Sequence, residues 1–181
     1  SGFEDLMLDI TKEKAKKDLK KIYQILEKDF ERGLIIKQVL HDTKGRIKIS
    51  EDYKDLETKN FIIEAIYEDL DIKSEALKTA EKFIKPDGII ASNTSTIPIS
   101  ILASKIKNSE RFVGIHFFSP VHKMKLVEII KANSTSSSTL DKALNFAKAI
   151  NKTPIVVNDS PGFYTTRVFT RYPCEGMAML D

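Results

Sequence analysis

Short apolar runs, each closed by a polar or ionisable residue, alternate along this chain with stretches of helical spacing. That alternation limits the fold more than any other feature. Asp5-Leu6-Met7-Leu8-Asp9-Ile10 reads as a buried strand ending near Asp9. Thr11 opens a helix whose apolar positions, Ala15, Leu19, Ile22, Leu26 and Phe30, recur at helical intervals. A second helical piece covers residues 30–40, a turn falls on Asp42-Thr43-Lys44-Gly45, and residues 46–50 alternate as a short strand. Beyond them, residues 61–66, 89–92, 112–118, 125–131 and 155–157 read as strands, and 71–83 and 97–106 as helices. Ser138, with Asp141 three residues later, reads as the cap of a helix carrying Leu140, Leu144, Ala147 and Ile150 on its apolar stripe. Ser160 and Pro161 read as the cap and first residue of the last helix. Strands that alternate with helices need crossover connections. The expected fold is therefore α/β, a mostly parallel sheet with helices on both faces.

Composition removes several function classes. At 181 residues the chain fits one domain, or one domain and part of another. Charged residues make up 30% but nearly balance, at +3 net, which excludes a general polyanion binder. Lys12, Lys14, Lys16, Lys17, Lys20 and Lys21 cluster on what reads as the wet face of a helix. No exposed aromatics interleave them, so no nucleic-acid role is expected. A single cysteine, Cys174, allows neither an internal disulfide nor a cysteine-based metal site. No apolar run of about 18 residues suggests a membrane span, and no signal peptide is visible.

In open α/β sheets ligands bind beyond the carboxyl ends of the strands. Asp9, Glu68, Ser95 and His116 all fall at or just past predicted strand ends. An acid at Asp9, after the second strand of a dinucleotide-binding unit, accepts from adenosine ribose hydroxyls and favours NAD over NADP; its alternative is a helix cap. The Ser95 hydroxyl either donates to an oxygen at a reacting carbon or caps a turn. His116 closes an apolar strand, and Glu128 lies twelve residues on, across a turn at Pro120. A carboxylate on one imidazole nitrogen fixes the tautomer and raises the basicity of the other, which gives a base for work near neutral pH. His41 and His122 have no such partner and read as surface residues. All seven glycines are isolated, so no G-x-G-x-x-G turn is present to bring backbone N–H groups to a pyrophosphate.

Three blocks in order, Ala91-Ser92-Asn93-Thr94-Ser95, residues 116–121 with 124–129, and Ser160-Pro161-Gly162-Phe163-Tyr164-Thr165-Thr166-Arg167, resemble the NAD-binding domain of L-3-hydroxyacyl-CoA dehydrogenases. The resemblance covers nearly the whole chain. Ser119 and Thr166, each where the monofunctional enzymes carry Asn, resemble instead the multifunctional β-oxidation proteins of the trifunctional α-subunit type. The resemblance implies a Rossmann-type doubly wound sheet, here lacking its first strand and glycine-rich loop, and NAD-dependent oxidation of the 3-hydroxyl of an acyl-CoA in fatty-acid β-oxidation. His116 would take the hydroxyl proton, Glu128 would orient and charge-balance His116, and Ser95 would bind the substrate oxygen. Glu68, Lys73 and Ser119 would join Asp9 and Ser95 as cofactor contacts. Residues 1–159 would form a partial NAD-binding domain, and residues 160–181 the first helix of a truncated helical domain.

The partners so implied are the 3-hydroxyacyl-CoA, the remainder of that helical domain, and a hydratase domain or a second copy of the chain. Tyr164, Val168, Phe169, Tyr172, Met177 and Leu180 would face that missing helical partner. The compartment implied is intracellular, the mitochondrial matrix in a eukaryote or the cytoplasm in a bacterium. The chain alone is expected to lack full activity. Two other readings stay open: a Rossmann dehydrogenase for a small hydroxy acid, and a non-catalytic homologue serving as a binding or assembly module.

Overall fold

The computed structural model describes residues 2–180, so Ser1 and Asp181, the outer ends of the two expected domains, lie outside the described residues. Two compact units divide the chain, one through Asp55 and one from Leu56.

The first unit runs β1 (Asp5–Leu8), α1 (Lys12–Glu31), α2 (Lys37–Arg46) and β2 (Ile47–Ser50). β1 and β2 pair in parallel, from Asp5 opposite Ile47 to Leu8 opposite Ser50. Thr11 caps α1 by accepting from the Lys14 amide at 3.3 Å, and Ala15 is its fully buried residue. The turn expected at Asp42-Thr43-Lys44-Gly45 is instead part of α2, and the helical piece expected over 30–40 is broken by a turn before Lys37. The reason lies in α1. Tyr23 Oη donates to the Lys44 carbonyl at 3.2 Å, and Lys44 Nζ reaches Glu27 at 2.6 Å while sitting 5.0 Å above the Tyr23 ring. Contacts made across the helix pair override a local turn preference of less than about 1 kcal/mol per residue.

The second unit runs β3 (Phe61–Glu64), α3 (Leu70–Phe83), β4 (Ile89–Ser92), α4 (Ile99–Ala103), β5 (Phe112–Phe117), β6 (Leu126–Lys131), α5 (Ser137–Ala149), β7 (Thr153–Asn158) and α6 (Thr165–Ala178). Its sheet has the order β3-β4-β5-β6-β7. β3, β4 and β5 are parallel, β6 turns back antiparallel to β5, and β7 is parallel to β6. Side chains alternate between the faces. Ile89, Ala91, Val113, Ile115, Val127 and Ile129 pack with Ala143 and Ala147 of α5. Ile90, Phe112 and Ile130 pack on the other face with Leu77 of α3, Ile99 and Leu102 of α4, and Phe163. His116 and Glu128 therefore belong to the second face by period alone.

Gly114 sits on that face under α4. A Cβ there would come within 2.6 Å of Ile99 Cγ1 and 2.9 Å of Ile130 Cβ. Gly114→Ala is accordingly expected to destabilise the fold by about 1–3 kcal/mol through overpacking. A urea midpoint equal to the wild type's would contradict the packing described.

Two helix starts differ from expectation. α5 is capped by Ser136, not Ser138: Ser136 Oγ accepts from the Thr139 amide at 3.2 Å, and the Ser136 amide donates to the Glu110 carbonyl at 3.0 Å. In a run of hydroxyls, that tertiary bond selects the register. The segment from Ser160 to Tyr164 is a turn, and α6 begins only at Thr165. Gly162 and Phe163 take φ of 72° and 49°, left-handed values that stop a helix from starting at Pro161. The residues expected to lie apolar and outward on and beside α6, among them Phe169, Tyr172 and Leu180, are exposed. Among the described residues, no helix is long and apolar enough to cross a membrane.

Candidate active site

His116 and Glu128 face each other directly across the antiparallel β5–β6 pair. Directly opposed residues place their side chains on one face within hydrogen-bond reach. His116 Nδ1 lies 2.8 Å from Glu128 Oε2. Glu128 is fully buried and His116 nearly so. The second carboxylate oxygen is held as firmly as the first. Glu128 Oε1 accepts from the Thr165 amide at 2.7 Å and from the Tyr164 amide at 3.2 Å. Glu128 therefore supplies the cap that α6 lacks locally, and no neighbouring side chain in the sequence announces it. The imidazole is flanked by Phe118 and Phe163, whose ring centroids lie 4.8 and 5.6 Å away. Phe163 is itself buried in a left-handed backbone conformation, which only a well-packed surrounding sustains. With Nδ1 committed to the carboxylate, Nε2 is the nitrogen left to exchange a proton.

A second polar cluster occupies the carboxyl ends of the neighbouring strands β3 and β4. Lys73, on the first turns of α3, is buried to 1% exposure. Its ammonium donates to Glu64 Oε1 at 2.7 Å and to the Ile66 carbonyl at 3.1 Å, and lies 3.2 Å from Glu68 Oε2. Glu64 is buried too, and also accepts from the Ile66 amide and the Ser92 hydroxyl. Glu68, partly exposed, turns its other oxygen to the loop after β4. There it accepts from the Thr94 hydroxyl, from the Ser95 and Thr96 amides at 3.2 Å each, and from the Thr96 hydroxyl at 2.9 Å. Ser95 is exposed, and its hydroxyl makes no hydrogen bond among the described residues. Asn93 ties the end of β4 to the end of β5, its side-chain oxygen accepting from the Phe117 amide at 2.9 Å.

The family profile described as 3-hydroxyacyl-CoA dehydrogenase, NAD binding domain, matches residues 1–160. The chain belongs to that family. Solved dehydrogenase structures are similar to this NAD-binding domain. An (S)-3-hydroxybutyryl-CoA dehydrogenase from Ralstonia eutropha is 35% identical with a TM-score of 0.88, over 91% of this chain and 58% of its own. A 3-hydroxybutyryl-CoA dehydrogenase from Escherichia coli is 29% identical with a TM-score of 0.94, over 98% of this chain and 38% of its own. The dehydrogenase part of a multifunctional enzyme from Caenorhabditis elegans is 29% identical with a TM-score of 0.78, over 88% of this chain and 36% of its own. The chain thus spans less than two thirds of the length of each.

Within this dehydrogenase-family domain the remaining predicted site residues are placed as follows. Asp9 follows β1 and is not the cap of α1, a position Thr11 takes. Its Oδ1 accepts from the Ile10 amide at 2.6 Å, and Oδ2 makes no hydrogen bond among the described residues. Ser119 is exposed on the β5–β6 turn, at a cis Ser119–Pro120 peptide. Lys152 holds that turn by donating to the Val121 and Met124 carbonyls. Sequence reasoning missed Glu64, Thr94, Thr96, Asn93 and Phe163. Glu64, an acid closing an apolar run, carries a signal in the sequence, and Asn93, Thr94 and Phe163 stand in the blocks that carry the family resemblance.

Burial works to raise the Glu68 carboxyl, but hydrogen bonds from Thr94, Thr96 and Lys73, with the Lys73 charge, outweigh it and hold the group down to about 2, from an ordinary 4.5. A lowered carboxylate stabilises the fold above its unfolded value, and that contribution is lost as pH falls through the folded one. The stability gap between wild type and Glu68→Gln is therefore expected to shrink from about pH 4.5 down to about 2, followed by denaturant unfolding across that range. A gap that stays constant over the range would refute the lowered carboxyl.

Proposed function

We propose that the protein carrying this domain oxidises the 3-hydroxyl of an L-3-hydroxyacyl-CoA to the 3-ketoacyl-CoA with NAD, in fatty-acid β-oxidation. The observation that carries the reading is the buried His116–Glu128 pair, 2.8 Å apart, at the carboxyl end of β5. NAD, when bound, supplies the hydride acceptor. His116 Nε2 takes the hydroxyl proton as the alcohol is oxidised. Glu128 fixes the ring orientation and offsets the positive charge that then forms on it. The Ser95 hydroxyl, exposed and unpartnered on the loop leaving the neighbouring strand, donates to the substrate oxygen.

The residues present fit parts of the cofactor. In the second unit Ser95 and Ser119 offer exposed hydroxyls for the nicotinamide end; in the first, Asp9 taken by itself keeps one carboxylate oxygen suited to ribose hydroxyls. Residues 1–159 would serve as the NAD-binding domain, and α6 as the start of a helical domain that covers the acyl chain. Such an enzyme would work in the mitochondrial matrix or the bacterial cytoplasm.

The test is NAD reduction by the full protein with L- and D-3-hydroxybutyryl-CoA. Turnover confined to the L substrate is expected. A folded protein that binds acyl-CoA yet reduces no NAD would replace this reading with that of a binding module.

A further inference from the structure

By resemblance Glu68 and Lys73 would contact the cofactor, yet Lys73 is enclosed by protein and one oxygen of Glu68 is taken up by the loop after β4. The Lys73 ammonium hydrogen-bonds to Glu64 and the Ile66 carbonyl and lies 3.2 Å from Glu68, and the side chain is 1% exposed, so it is closed off from a ligand. One oxygen of Glu68 lies beside that ammonium, and the other accepts four donors from three consecutive residues, Thr94, Ser95 and Thr96. A carboxylate oxygen has about two lone-pair sites, so that oxygen is saturated. The Ser95 amide is taken up while its hydroxyl is not, and the side chain is turned outward.

We propose that Glu68 is a positioning residue: it grips the loop after β4 so that the Ser95 hydroxyl is presented to the substrate oxygen, and Lys73, anchored on Glu64, holds Glu68 in place. The proposal rests on the role given to Ser95 above. The buried ammonium 3.2 Å from the other Glu68 oxygen supports it, because a Glu68 that swings away gives up that ion pair as well as the loop donors. Thr96 adds direction. Its hydroxyl and amide both donate to the same Glu68 oxygen, which fixes the loop on the far side of Ser95.

A double-mutant cycle on the full protein separates grip from cofactor contact. Glu68→Ala is expected to lower kcat by about tenfold to 10²-fold, the scale of a misplaced group, with the KM for NAD raised no more than in Ser95→Ala. Glu68→Gln, which keeps an acceptor oxygen, should restore most of the loss. Glu68→Ala/Ser95→Ala should be no slower than Ser95→Ala alone, because residues acting through one another are not additive. Multiplying losses, together with a KM for NAD raised beyond that of Ser95→Ala, would overturn the proposal in favour of direct cofactor contact. Amide hydrogen exchange supplies a readout independent of turnover. Glu68→Ala should speed exchange at Ser95 and Thr96 and leave Ile115, inside β5, unchanged. If the wild type oxidises no hydroxyacyl-CoA, the functional reading fails while exchange still tests the grip, and unchanged exchange at Ser95 and Thr96 would overturn it.

Discussion

His116→Gln is expected to cut NAD-linked oxidation of a 3-hydroxyacyl-CoA by about 10²-fold or more, the usual worth of a positioned general base. Glutamine keeps the side chain polar and of similar reach, and its amide still has a donor for the Glu128 carboxylate. What it lacks is a ring nitrogen with a lone pair to take up the proton. The pair is buried between Phe118 and Phe163, so bulk water does not easily replace the lost base. The loss should appear in kcat, with the circular dichroism spectrum and the NAD affinity close to wild type. A variant retaining activity within a few fold would remove His116 from the chemistry and with it the reading of the site.

The largest stability effect is expected at Lys73. Lys73→Met keeps the length and apolar stem of the side chain but leaves Glu64, 4% exposed, without its counter-charge. Breaking a buried pair from one side costs about 3–5 kcal/mol. Against a typical domain stability of about 5–15 kcal/mol, that is enough to leave the variant marginal at ordinary temperature. Glu64 retains the Ile66 amide and the Ser92 hydroxyl as donors, so the variant should be weakened rather than misfolded. The double variant Lys73→Met/Glu64→Gln should recover much of the loss, because the neutral amide no longer needs compensation. Urea unfolding of the three proteins measures both effects. Equal midpoints for Lys73→Met and wild type would show that the charge at Glu64 is not held by Lys73.

The strands were legible in the sequence because burial on both faces writes them as apolar runs, and β3 through β7 lie within a few residues of where those runs predict. The meeting of His116 and Glu128 was legible for a related reason. Two strands joined by a turn at Pro120 can adopt a register that opposes residues twelve apart, and the antiparallel β5–β6 pair does so. What stayed hidden depends on partners far along the chain. Asp159 caps α4, its carboxylate accepting from the Ile99 and Ser100 amides at 2.8 and 2.7 Å, sixty and fifty-nine residues away. Glu128 caps α6 in the same way. Neither helix has a side-chain cap of its own. Local capping rules therefore set the start of α6 at Ser160, and they also moved the cap of α5 to the wrong serine. The Glu64–Lys73–Glu68 cluster was hidden because a lysine on an otherwise mixed helix face gives no sign that it points inward.

The double duty of Glu128 also bears on when the site comes into being. Its donors on α6 follow it by 36 and 37 residues. Pairing of β5 with β6 sets the carboxylate toward the sheet interior, and its Oε1 lacks donors until Tyr164 and Thr165 pack against it. Sealing a carboxylate away from water without those amides costs a few kcal/mol, so the emerging sheet should keep Glu128 hydrated until the chain beyond β7 arrives. The imidazole gains its fixed partner only then. The His116–Glu128 pair is thus completed by the turn after β7, and a chain cut before residue 165 would form its sheet with that carboxylate half satisfied.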